Sequence, residues 1–521
     1  MKRDILIGVD AGTSVIKSIA FTLDGRQLES FALPNIYTSV DGVGSEQDMA
    51  RTWNDTAATL RGLATLIPDL DKRTAAIAVT GQGDGTWLID ADGRPTAPAM
   101  LWLDARSASI VDEIRRSPRG RAIFERTGAG LNVCQQSSQL LWLKKNHPDI
   151  LKRSATALHC KDWLYFNLTG DRAGDPSESI FTFGNIQTRQ KDAAVIVGLG
   201  LESEARLLPP IVDGVREMGT LSTQAAREIG FEAGLPVVLG YVDVVCTALG
   251  AGLFDRAVDT GCTIVGSTGM HMRYARSVGD VTLNDDCTGY TMAFPVGNGY
   301  AQLQSNMAST INIDWLLDLA RGVLSDFNVS VSRKDLLAGV DARVLGAEPG
   351  SLLFHPYISE AGERGPFVDP TARAQFFGLS TRHGYSDMMR AVFEGLAFAA
   401  RDCYEAMGPI PKEIRVTGGA ARSKAIRTIL GSVLNADIRT SKREEAGAAG
   451  AAMMAAVALG LYPDVESCTD QWVAPLLEQK LAPDPALITT YDRLFPAYVI
   501  ARKASAPVWQ AMRATRTGAP Q

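Results

Sequence analysis

"ILIGVDAGTSVIKSIAF", residues 5–21, runs an apolar segment into an acid and then into a turn. The apolar run predicts a buried strand over 5–9. Gly12 with the small hydroxyl residues Thr13 and Ser14 predicts a tight loop over 10–14, and renewed alternation predicts a strand over 15–22. Asp24-Gly25 then marks a hairpin turn into a third strand over 27–32. Asp10 is thereby expected at the end of a buried strand, beside a turn whose N–H groups form an anion-binding nest. A carboxylate so placed can hold Mg²⁺ directly or through water. A plain hairpin with a hydrogen-bonded Asp is the simpler alternative for this piece alone.

Outward from this stretch the same pattern returns. After an amphipathic segment over 47–66, "TAAIAVTGQGDGTWLID" (74–90) predicts a further strand, and "QLLWLKKNHPDILKR" (139–153) predicts a helix. "GLPVVLGYVDVVCTALGAGLF" (234–254) reads as strand, Asp243 and helix. "DTGCTIVGSTGMHMRYA" (259–275) echoes the opening, with Gly266-Ser267-Thr268-Gly269 as its turn. "EIRVTGGAARSKAIRTILGSVL" (413–434) gives a strand, Gly418-Gly419 and a helix. "AGAAGAAMMAAVALGLY" (446–462) predicts a tightly packed buried helix, shorter than the roughly 18 residues of a membrane span. A chain of 521 residues exceeds one hydrophobic core. The expected division is 1–253, 254–470 and a helical tail over 471–521, with the two halves closing on a cleft.

Composition narrows the function. A net charge of −6 argues against a nucleic-acid or anionic-membrane partner. Seven scattered cysteines without a CxxC fit reduced thiols in a cytoplasm, and five unclustered histidines make a histidine-rich metal centre unlikely to form. The first apolar run stops at Asp10, too short for a signal sequence, so a cytoplasmic location is expected. No GxxxxGK[ST] or GxGxxG occurs, which disfavours a P-loop or a dinucleotide fold. Ser14 to Lys17 fits SxxK, but neither SDN nor KTG accompanies it. Asp243, at the domain junction and a helix start, reads equally as a cap or as the carboxylate that takes a proton in phosphoryl transfer to a hydroxyl.

The most specific residues are Ala374, Phe376, Gly378, Leu379, Asp387, Ala391 and Glu394 in "ARAQFFGLSTRHGYSDMMRAVFEGLAFAARD" (372–402). "GERGPFVDPTAR" (362–373) and "VTGGAARS" (416–423) flank them. Together they resemble the FGGY carbohydrate kinases over nearly the whole chain. The N-terminal signature around Trp142 is met in part, with Gln139 where the family usually has Lys. The resemblance implies an α/β, actin/hexokinase-like (ribonuclease H-like) fold, with ATP and Mg²⁺ in the cleft and Mg²⁺ near Asp10. It implies nucleotide contacts from Gly12, Thr13, Ser14, Lys17, Gly266, Ser267, Thr268, Gly269, Thr310, Gly418, Gly419 and Ser423. Asp243 is implied as general base, and Gln82, Gly83, Asp84 and Gln135 as substrate readers beside it.

Other members carry Met-His or Arg-Glu where this chain has Gly83-Asp84, so Asp84 is expected to accept hydrogen bonds from vicinal hydroxyls, with Gly83 leaving room. Val244 stands where Asn or Gln is usual after the base. "VDAGTSVIK", "TGQGDGTWLID" and "LWLDAR" are similar to the members that act on erythritol; xylulose or another pentulose is the alternative acceptor. A nucleotide-dependent sensor on the same fold is the alternative of another class. Trp102, Asp104 and Arg106 either line the sugar pocket or form a packed, salt-bridged turn, the latter being favoured; Glu363-Arg364 and Asp175 with Ser177 are read as structural, and "SEQDMARTW" as a capped helix start, with Gln47 as an alternative neighbour of substrate. Monomer and homodimer both remain open.

Overall fold

The computed structural model describes residues 3–517. Its first sheet is built from Ile5–Ala11 (β1), Val15–Thr22 (β2), Gln27–Pro34 (β3), Thr74–Gly81 (β4), Gly219–Thr220 (β5) and Pro236–Leu239 (β6), in the order β5-β6-β4-β1-β2-β3. β1 pairs antiparallel with β2, and β2 with β3, while β4 and then β6 add in parallel.

The second sheet repeats this plan. Thr260–Val265 (β7) pairs antiparallel with Gly269–Ala275 (β8), Tyr290–Ala293 (β9) pairs with Tyr300–Asn306 (β10), and β10 lies antiparallel to β8. Glu413–Thr417 (β11) and Asp437–Thr440 (β12) add in parallel beside β7. The echo between residues 5–21 and 259–275 is thus a duplication of topology.

Between the sheets lie two helices, Asp243–Ala251 (α1) and Ala446–Ala458 (α2). Leu6, Ala78 and Val238 of the first sheet, Cys262 and Met272 of the second, and Leu249, Ala448 and Ala452 of the helices form one continuous buried core. The alanine and glycine content of α2 suits a helix that is covered all round. No helix among the described residues is long and apolar enough to cross a membrane. The seven cysteines are free, and all but Cys287 are buried.

Several elements differ from the sequence expectation. β1 runs on to Ala11, so Asp10 is still in the ladder, opposite Lys17. Residues 74–90 are two strands, β4 and Trp87–Ile89, because Asp84 and Gly85 take positive φ (54° and 78°) and break the run. Residues 139–153 are two helices: Gln136–Asn146 stops at His147, and Pro148 opens Pro148–Arg153. In the expected tail the long helix spans Pro485–Thr517, while residues 518–521 lie outside the described residues.

Candidate active site

Parallel strands gather the acidic residues. Asp10 lies opposite Thr80, Ala11 opposite Gly81 and Leu239 opposite Val79, so β1, β4 and β6 end together. Asp10, Gln82 to Asp84 and Asp243 therefore emerge at the carboxyl ends of adjacent parallel strands, where α/β sheets generally bind ligands. Across the cleft, Ile264 of β7 lies opposite Thr417 of β11, which brings the Gly266–Gly269 turn beside Gly418-Gly419.

The first glycine turn is held by a chain of side-chain hydrogen bonds. Trp102 Nε1 donates to Thr13 Oγ1 (2.8 Å), and Thr13 Oγ1 donates to Gln82 Oε1 (3.0 Å). Gln82 Nε2 donates to Gln47 Oε1 (2.8 Å), Gln47 Nε2 to Asn35 Oδ1, and Asn35 Nδ2 to the Gly12 carbonyl (2.8 Å). Gln82 and Gln47 thus fix the turn from behind. In the second turn, the Gly266 carbonyl accepts from Thr310 Oγ1 (2.9 Å) and Thr310 N (3.1 Å), while the Ser267 carbonyl accepts from Ser309 N (2.7 Å). Gly418 has φ 95°, and a Cβ there would meet the Val265 carbonyl oxygen at 2.7 Å. At Gly419 a Cβ would meet nothing within 4 Å, so its backbone borders open space.

Two cavities lie in this region. The larger, about 850 Å³, is lined by Asp10, Thr247, Gly418, Gly419, Arg427 and Gly447, among others. Its size and the glycines on its wall suit a nucleotide. Burial pushes Asp10 up to about 6; Lys17 opposes the shift and Glu445 adds to it. Among the described residues no group of three or more His, Cys, Asp or Glu could hold a metal ion. Mg²⁺ arriving with phosphates needs only one or two carboxylates and retained waters. Asp10, destabilised as an anion and given no ammonium of its own, fits that ion.

The smaller cavity, about 150 Å³, lies against Thr13, Asp84, Trp102, Glu178, Asp243 and Arg364, with Phe181, Met270, Met292 and Leu303 as an apolar wall. Asp84 Oδ2 accepts from Cys134 Sγ (3.1 Å) and Tyr290 OH (3.2 Å), whereas buried Asp84 Oδ1 has no hydrogen-bond partner. Burial raises the Asp84 pKa, against the Cys134 hydrogen bond and the charges of His159 and Arg364. Arg364 Nε donates to Ser305 Oγ (2.9 Å), and its backbone N–H to Glu363 Oε1 (2.8 Å). Burial and the Asp10 charge hold Asp243 well above the usual carboxylate range. The N-cap of α1 is Val242; Asp243 is the first helical residue and its Oδ1 accepts from Val244 N (2.7 Å).

Other expected residues are turned to neighbours in the fold. Lys17 Nζ reaches Glu445 Oε1 (2.9 Å), an acid on the wall of the larger cavity. Ser423 caps the helix Lys424–Leu434 and donates to Asp341 Oδ1 (2.6 Å). Gln135 is buried, donates to the Gly130 carbonyl (3.1 Å) and accepts from Asn132 N (3.3 Å). Gly83 borders the smaller cavity, and a Cβ there would meet Val242 Cγ2 at 2.5 Å, so the close approach of Val242 calls for glycine. Asp104 pairs with Arg106 (2.6 Å) as a packed turn, but Trp102 beside it borders the smaller cavity. Arg364, read from the sequence as a brace, also borders that cavity, as do Tyr290 and Glu178.

Two duplicated α/β domains closing on a cleft, with carboxylates at the ends of parallel strands, define the actin/hexokinase-like phosphotransferase fold. Residues 5–250 match the model of the FGGY family of carbohydrate kinases, N-terminal domain, and residues 265–459 match that of the C-terminal domain. The chain belongs to the FGGY family of carbohydrate kinases. It is 53% identical over 508 residues to the erythritol kinase of Brucella abortus (strain 2308), covering 98% of each chain. The xylulose kinase of Escherichia coli (strain K12) is 28% identical over 491 residues, covering 93% of this chain and 96% of that one. The crystal structure of xylulose kinase from Rhodospirillum rubrum superposes with a TM-score of 0.85 at 25% identity, covering 97% of this chain and all of that one.

Proposed function

We propose that this kinase transfers the γ-phosphoryl group of ATP to a terminal hydroxyl of a small acyclic polyol. Erythritol, for which the 53% identical relative is named, is the proposed acceptor. One observation carries the reading: α1 straddles the two cavities. Asp243 at its first position faces the smaller, and Thr247, one turn on, faces the larger.

In this reading a terminal hydroxyl donates to Asp243, and as the new O–P bond forms the hydroxyl proton passes to that carboxylate. The bond from the γ-phosphorus to the β–γ bridging oxygen breaks, and ADP leaves. A base pushed upward by burial has a pKa closer to the operating pH, which improves proton acceptance. Asp84 Oδ1 accepts from a second hydroxyl, while the terminal nitrogens of Arg364 donate to a hydroxyl oxygen from the other domain. The apolar wall covers the carbon chain and keeps water, the competing acceptor, away. Three carboxylates against one guanidinium favour a neutral polyol over a sugar acid. Mg²⁺ bound with the nucleotide near Asp10 would spread the phosphate charge.

A coupled ADP-release assay over erythritol, glycerol, ribitol, xylitol, D-xylulose and L-ribulose tests the acceptor. The highest kcat/KM is expected for erythritol; a higher value for D-xylulose or L-ribulose would replace it with a pentulose.

Asp10 gives a prediction independent of turnover. Its folded-state pKa of about 6 lies above the ordinary aspartate value of 3.8. Its favourable contribution is therefore present at low pH and lost as pH rises from about 4 to about 6. Asp10→Asn should melt on the order of 2 °C higher than wild type at pH 7.5 without ligands, with a smaller gain at pH 5. It should also lose the extra thermal stabilisation that Mg²⁺ adds to ADP. Equal Mg²⁺-dependent shifts in both proteins, read by thermal unfolding, would remove Asp10 from the ion's site.

A further inference from the structure

Behind the smaller cavity lies a buried charged cluster that reaches the cavity wall only through Glu178. Lys161, fully buried on the helix Cys160–Thr169, reaches Asp175 Oδ1 (2.7 Å), Asp162 Oδ1 (3.2 Å) and Glu178 Oε2. An ammonium removed from water in this way requires compensating carboxylates, and replacing it leaves uncompensated acids in the core.

What these carboxylates hold is informative. Glu178 Oε1 accepts the backbone N–H of Asp84 at 2.6 Å. Asp84 has φ 54°, a conformation that non-glycine residues adopt only when the surroundings enforce it. Asp175 Oδ2 accepts from Ser177 N (2.7 Å) and from Ser177 Oγ. Ser177 Oγ in turn accepts from the N–H of Val242 (3.0 Å), the N-cap residue directly before Asp243. Asp162 Oδ2 accepts from His159 N (3.0 Å) and so caps the helix that carries Lys161.

We propose that Lys161 is a positioning residue that sets the two working carboxylates of the smaller cavity from one point. One arm runs through Glu178 to Asp84, and the other through Asp175 and Ser177 to Val242 and Asp243. This inference rests on the roles proposed above for Asp84 and Asp243. Because the arms end on different residues, they control different steps. The Glu178 arm governs how well the polyol is held, and the Ser177 arm governs how well its hydroxyl is aligned for transfer.

Two mild variants separate the arms. Glu178→Gln keeps the volume, but in either amide orientation its NH₂ faces a donor, the Asp84 N–H or the Lys161 ammonium. KM for the polyol is expected to rise about 10-fold, with kcat within about threefold. Ser177→Ala frees the Val242 N–H and lets the start of α1 drift. kcat is expected to fall about 10-fold, with the polyol KM within about twofold. ADP affinity, measured by titration calorimetry, should stay at the wild-type value in both.

Lys161→Met should combine the two effects where it folds; where it does not, the two mild variants decide. Equal losses in both parameters for both variants, or lowered melting temperatures with intact kinetics, would reduce the cluster to packing and overturn the proposal. Asp84→Asn and Asp243→Asn separate this outcome from failure of the functional reading. If Asp84→Asn retains the wild-type polyol KM, or Asp243→Asn the wild-type turnover, the reading fails. If both are impaired but the arms do not split, only the brace fails.

Discussion

Asp243→Asn is expected to lower kcat by about 10³-fold while ADP binding, measured by calorimetry, stays within twofold of wild type. The substitution keeps the shape of a half-buried side chain, and the amide oxygen can still accept from Val244 N, so the start of α1 is retained. What is lost is the group that accepts the hydroxyl proton. Nucleotide binding should persist because the larger cavity is lined by Asp10, Gly418, Gly419 and Gly447, and Asp243 does not border it. The Asp10 charge is one of the causes that hold Asp243 upward, after burial.

The wild-type pH profile gives a second readout. Burial first, and then Asp10, raise the Asp243 pKa, so its protonated fraction grows as pH falls from well above the ordinary carboxylate range. kcat/KM should therefore decline toward acid along a limb centred above the ordinary carboxylate range, and that limb should vanish in Asp243→Asn. A variant that turns over at the wild-type rate, or that keeps the limb, would transfer the base to another residue.

How much of this was legible in the sequence follows from the range of each interaction. Strand, glycine turn and strand over residues 5–22 are local patterns, and the structure returns them with β1 merely extended to Ala11. The buried character of α2 was equally readable, since a segment of alanine, glycine and methionine has no polar face to expose. Asp10 and Asp243 could be singled out because each follows a strand signal, whereas Asp84 came from the family resemblance.

Their partners could not be. Tyr290, which donates to Asp84, lies 206 residues away and arrives only because β9 pairs with β10 at the edge of the other sheet. Arg364 sits in a motif read as a brace, and nothing local says that its side chain also borders a cavity. Lys17 looked like a phosphate ligand from its place after the turn, but its nearest acid, Glu445, is 428 residues on. Gly83 borders the smaller cavity, but nothing local says that Val242 packs against its other side. Pattern reading found the carboxylates, and packing decided what surrounds them.

The second large effect concerns the helix crossing that sets this packing. Gly450→Ala is expected to destabilise the protein by about 3 kcal/mol, lowering its melting temperature by roughly 5 °C, and to cut the activity of the folded fraction by about tenfold or more. A Cβ at Gly450 would lie 2.0 Å from the Cys246 carbonyl oxygen and 2.7 Å from its carbon. These are backbone atoms of α1, so no rotamer change can clear the clash and the helices must part. The crossing is tight from both sides, since a Cβ at Gly250 would lie 2.1 Å from the Ala446 carbonyl oxygen.

Parting the helices also disturbs the proposed chemistry. α1 begins at Asp243, and α2 begins beside Asp10, whose Oδ2 would be 2.6 Å from a Cβ on Gly447. Gly322→Ala is the matched control: it lies inside the helix Thr310–Asp326, and a Cβ there meets nothing within 4 Å. That change should stabilise by about 0.5–1 kcal/mol through helix propensity and leave kinetics unaltered. The same methyl group is thus expected to act with opposite signs at two helical glycines. If Gly450→Ala melts with wild type and turns over at its rate, α1 and α2 do not cross as closely as the fold requires, and the shared placement of Asp10 and Asp243 loses its physical cause.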